Sequence, residues 1–116
     1  MKRINISQTE PDAYKGMLVL EQYTRNSQVA PLLRALIKIS ASQINGCAYC
    51  IDMHTREALE LGETQRRLFA IAAWKESPLF TDEERSVLQL TEEVTLISKD
   101  GVGDDTYNKV VEFFGE

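Results

Sequence analysis

The chain has 116 residues, 43% of them hydrophobic, a formal net charge of -5 and a sequence pI near 4.9. That is one domain, residues 1–116, with apolar material for a single core, and an acidic balance without clustered Lys and Arg excludes a nucleic-acid binder. Lys2 and Arg3 lead into Asn5, Ser7 and Gln8 rather than an apolar run, and a stretch of roughly 18 apolar residues occurs nowhere, so the expectation is no export signal, no membrane and a cytoplasmic location.

Glu10-Pro11-Asp12 opens the first helix, because Pro11 in a first turn loses no needed N–H and the acids suit the helix dipole; it runs to about Thr24. Arg25-Asn26-Ser27-Gln28 is polar and reads as a loop. From Val29, the residues Val29, Leu32, Leu33, Leu36 and Ile37 recur at helical spacing, giving a second helix to about Ile44, which Asn45-Gly46 ends. A third helix begins at about Cys47 and stops at Gly62. A fourth runs from Glu63 to Trp74 or Lys75, with Leu68, Ile71 and Ala72 on one face and Ser77-Pro78 behind it.

Thr81-Asp82-Glu83-Glu84 reads as a capping box starting a fifth, long helix. Its stripe is Val87, Leu90, Thr91, Val94 and Ile97, and it ends before Gly101-Val102-Gly103. Asp104 precedes a sixth helix, with Tyr107, Val110, Val111 and Phe114 at spacings of a helix face. No strand pattern competes, so the fold class is all-α, a bundle of about six helices. Phe113 and Phe114 beside the last residues imply apolar surface that a neighbouring subunit would cover, hence an oligomer. Arg66-Arg67 reads as a solvated face and is assigned no role.

The chain has two cysteines and one histidine, all within Cys47-Ala48-Tyr49-Cys50-Ile51-Asp52-Met53-His54. So close a pair closes too small a loop to serve as a framework disulfide, and in a reducing compartment it reads as catalytic or metal-binding first. On a helix the three residues share one face. Cys50 and His54 are one turn apart, whereas Cys47 and His54 are separated by roughly 10.5 Å of rise, so only Cys50 is a natural partner for the imidazole. The helix N-terminus favours a thiolate at Cys47, and His54 favours one at Cys50. Peroxide chemistry uses both: one thiolate becomes a sulfenic acid, the other condenses with it, and His54 supplies a proton to the leaving oxygen. Ile51, Ala58 and Leu61 lie on the same stripe, so a plain core face is the bland alternative. Zinc is another, but the site falls one ligand short of a structural four unless Asp52 or a second subunit contributes.

Ser42-Gln43-Ile44-Asn45-Gly46-Cys47-Ala48-Tyr49-Cys50-Ile51-Asp52-Met53-His54 closely resembles the signature of the alkylhydroperoxidase D-like, carboxymuconolactone decarboxylase family. The likeness extends through Ala58, Gly62-Glu63-Thr64, Ala72-Ala73-Trp74, Pro78 and Phe80-Thr81, and faintly to Pro11-Asp12-Ala13-Tyr14. It implies an all-helical fold assembling as trimers or hexamers, and a cofactor-free peroxidase or disulfide reductase drawing on a dithiol electron donor. It makes Cys50 peroxidatic, Cys47 resolving and His54 part of the proton relay. The family's relay glutamate falls at Ala35, twelve residues before Cys47, and the histidine that some members hold between the cysteines is here Tyr49, which can donate a hydrogen bond. A further apolar helix common in the family does not follow the sixth, so the chain is expected to be a short variant or truncated. Besides the peroxidase reading stand a thiol-disulfide exchanger or redox sensor, a non-catalytic oligomeric scaffold, and a lyase, for which no arginine pair is evident.

Overall fold

The computed structural model describes residues 1–116, which are helical with no strand. Two compact units divide the chain, Met1–Ala30 and Pro31–Glu116. In the first, a single turn α1 (Ile6–Thr9), absent from the sequence expectations, is capped by the Asn5 side chain, which accepts from the Ser7 N–H at 3.1 Å. Helix α2 (Pro11–Arg25) follows with Pro11 in its first turn, as the missing N–H predicts. None of its residues is buried, and Met17, Leu18, Val19 and Tyr23 are exposed.

The second unit is built on α3 (Pro31–Asn45), which packs against α4 (Ala48–Glu60) and α6 (Asp82–Thr95). Leu33, Leu36, Ile39 and Ser40 repeat at helical spacing and are buried, with Ala35 beside them. The expected stripe is therefore rotated: Leu32 is exposed and Val29 precedes the helix, because the face that two flanking helices cover is centred on Leu36 and Ile39. Leu36, Ile39, Ile71 and Leu88 are the largest fully buried side chains and mark the core's centre.

Helix α5 (Gln65–Ala70), capped by Thr64, passes into a 3₁₀ segment, Ile71–Glu76, that leaves helical angles at Ala73 (φ -126°, ψ 35°). The expected fourth helix thus changes pitch halfway. The Arg85 guanidinium takes the carbonyls freed there, those of Trp74 at 2.9 Å, Lys75 at 2.6 Å and Ser77 at 3.1 Å. Arg67 is likewise not a solvated charge. It donates to Glu63 at 2.9 Å, to the Leu79 carbonyl at 2.7 Å and to both oxygens of Glu84, and it lies over the Phe80 ring. That cluster fastens α5 to the start of α6.

The capping box on α6 forms as its sequence predicts: Glu84 N–H donates to Thr81 Oγ1 at 3.2 Å, and Thr81 N–H to Glu84 Oε1 at 2.9 Å. The buried face of α6 is Ser86, Val87, Leu88 and Thr91 rather than the longer stripe expected, and the helix ends at Thr95. The Ser86 and Thr91 hydroxyls donate back to carbonyls of their own helix, which satisfies them without a cross-helix partner. A single turn α7 (Ile97–Asp100) leaves Ile97 exposed. Helix α8 (Asp104–Phe114) packs on α6 with no residue fully buried.

Candidate active site

The site lies where α3 ends and α4 begins, and its position follows from one glycine. Gly46 sits at φ 66°, the left-handed region that a side chain resists. Its N–H donates to the Gln43 carbonyl at 3.1 Å and the next N–H, that of Cys47, to Ser42 at 3.0 Å. These two bonds are the Schellman closure of α3. The chain leaves it with Cys47 extended (φ -86°, ψ 96°) as the N-cap of α4, where Sγ of Cys47 accepts from the Cys50 N–H at 3.2 Å. One residue therefore finishes one helix and caps the next.

Cys47 and Cys50 are joined as a disulfide with Cα atoms 5.3 Å apart, so the two thiols that the spacing put on one face do meet. One sulfur belongs to the N-cap and the other to the first turn of α4, where free N–H groups and the helix dipole favour negative charge on sulfur. Both residues are half-buried, while Tyr49 between them is 75% exposed.

His54 stands one turn further along α4 with a side chain only 15% exposed. Its hydrogen bond is not to a sulfur: Nδ1 lies 3.2 Å from Oε2 of Glu57 on the same helix. Glu57 was not singled out in the sequence, although a histidine followed three residues on by a glutamate is a spacing at which helix side chains touch. The family resemblance puts the relay carboxylate at another position, on the preceding helix. That position is Ala35, which is 6% exposed in the face α3 turns to the core and offers no polar atom from its side chain. Asp52, the candidate fourth zinc ligand, is exposed and paired with Arg56 at 2.9 Å. No group of three or more His, Cys, Asp and Glu side chains is placed so that it could hold a metal ion.

Of the stripe behind the site, Ala58 is fully buried, Ile51 half-buried and Leu61 exposed. Only at Ala58 is the face core; it is partly open at Ile51 and exposed at Leu61. Chemically, the arrangement offers a dithiol that can close and reopen at a helix N-terminus, with one imidazole a turn away and a carboxylate on that imidazole.

The carboxymuconolactone decarboxylase family model matches residues 11–93. The chain is similar to the uncharacterised protein YdfG of Bacillus subtilis (strain 168), at 41% identity over 115 residues, 99% of this chain and 78% of YdfG. It is also similar to the uncharacterised protein YnjA of Escherichia coli (strain K12), at 34% over 68 residues, 59% of this chain and 37% of YnjA. Among solved structures, a protein of unknown function from Agrobacterium tumefaciens, suggested to be the antioxidant defence protein AhpD, superposes with a TM-score of 0.95 at 35% identity. That match covers 100% of this chain and 80% of the other.

Proposed function

This chain belongs to the carboxymuconolactone decarboxylase family with an alkylhydroperoxidase D-like all-helical fold, and from that premise we propose that it is a thiol-dependent peroxidase. The observation that carries the reading is the Cys47–Cys50 disulfide at the start of α4 with His54 one turn away. In the cycle, His54 takes the proton of the Cys50 thiol, and the thiolate attacks the outer oxygen of a hydroperoxide. The O–O bond breaks, the alcohol leaves with the proton from His54, and Cys50 becomes a sulfenic acid. The Cys47 thiol then attacks that sulfur, the disulfide forms, and water departs. A dithiol donor returns two electrons and two protons, and a reducing cytoplasm is where such a donor is found.

The test is hydroperoxide consumption with a dithiol reductant. Cys50→Ser is expected to fall to the uncatalysed rate, and a rate equal to wild type would remove the reading. A second reading, a thiol-disulfide exchanger with little peroxide turnover, is favoured by the aliphatic Ala35 in place of a relay carboxylate. It predicts a disulfide that opens and closes reversibly in a protein whose peroxide turnover is negligible.

A further inference from the structure

We infer that Glu57 is the positioning residue that orients His54, taking up from within α4 the task that no side chain at position 35 can perform. The inference rests on the thiol-redox reading of the site. Cys50, His54 and Glu57 fall at i, i+4 and i+7, so all three lie on one face of α4 in the order thiol, imidazole, carboxylate. The Nδ1 to Oε2 distance of 3.2 Å is a hydrogen bond between them. His54 is largely enclosed, so its ring has few alternative rotamers, while Glu57 is 44% exposed and free to follow it. Asp52, the other acidic residue singled out on α4, is paired with Arg56 instead.

An ionised carboxylate only accepts hydrogen bonds, so a ring held by Glu57 carries its hydrogen on Nδ1 and keeps a lone pair on Nε2. Nε2 is then the nitrogen that receives the Cys50 thiol proton. The products are the Cys50 thiolate and an imidazolium whose Nδ1–H still faces the Glu57 carboxylate. Without Glu57 the ring is free to place its hydrogen on Nε2, the preferred tautomer of a free histidine side chain, and that tautomer cannot take the proton there.

The chain has a single histidine, so one set of imidazole signals reports the tautomer without assignment ambiguity. The experiment records long-range proton–nitrogen correlation spectra of the oxidised, ¹⁵N-labelled protein at a pH where the ring is neutral. Wild type and Glu57→Gln are expected to hold Nδ1–H, because a carboxamide oxygen accepts the same bond, and Glu57→Ala to move towards Nε2–H. A wild-type ring already in the Nε2–H form, or no change in Glu57→Ala, overturns the inference. A second arm follows alkylation of Cys50 in the reduced protein. Glu57→Ala is expected to slow it roughly 10- to 100-fold, with Glu57→Gln between, and equal rates in all three again overturn it. Neither arm reads peroxide turnover, so a protein that orients His54 this way yet consumes no hydroperoxide would count against the peroxidase alone.

Discussion

Cys47 does two things that a reader of the sequence would assign to different residues. Its backbone N–H closes α3 and its sulfur caps α4, so the cysteine is structural before it is chemical. Serine is among the strongest N-cap residues and alanine among the weakest. With the wild type and both variants fully reduced, Cys47→Ser is therefore expected to keep wild-type stability and Cys47→Ala to lose about 1 kcal/mol, read from the denaturant midpoint. Equal stability of the two variants would mean that the sulfur is not acting as a cap. That Cys47 and Cys50 meet was legible because they are the chain's only cysteines and share a helix face. Glu57 was not, since glutamates at helical spacing from a polar residue are common on any solvated surface. Arg67 was misread for the related reason that burial of a charge depends on partners distant in sequence, here Glu84 and the Leu79 carbonyl.

At the scale of elements, signals carried within a few residues read correctly. Gly46 and Gly62 both terminate helices by the Schellman pattern, and Thr81 with Glu84 builds the expected box. What did not read was set by packing between elements: the rotation of the buried face on α3, the change of pitch at Ile71 and the early end of α6. Two glutamates make these junctions sensitive to acid. Burial opposes the charge on Glu84, but hydrogen bonds from Arg67 and Thr81 outweigh it and hold the carboxyl below its ordinary range. Glu93 is held low by hydrogen bonds from Thr106 and then from the Gly103 N–H, which fastens the start of α8 to α6. Both groups are depressed in the folded chain, so their stabilisation is complete above the ordinary carboxylate range and is lost as pH falls through their lowered values. Denaturant midpoints measured across that range should fall with acid, and less steeply for Glu93→Gln than for wild type. An unchanged slope in the variant would remove Glu93 from the account.

Across the whole molecule, the all-helical class and the six main helices follow from periodicity and caps, and α1 and α7 were missed because a single turn carries no period. No helix is long and apolar enough to cross a membrane. The family likeness carried by the segment from Ser42 to His54 extends to a fold match over the full chain, so the part of the sequence that pointed to the family also pointed to the architecture. The central claim is that Cys50 is the sulfur that meets peroxide. Its most direct test is the mass of reduced Cys47→Ser, which keeps a cap on α4 but cannot close the disulfide, after one equivalent of hydroperoxide in the presence of a sulfenic-acid trap. The account predicts one trapped adduct on Cys50, and a protein that stays unmodified while the hydroperoxide remains would contradict it.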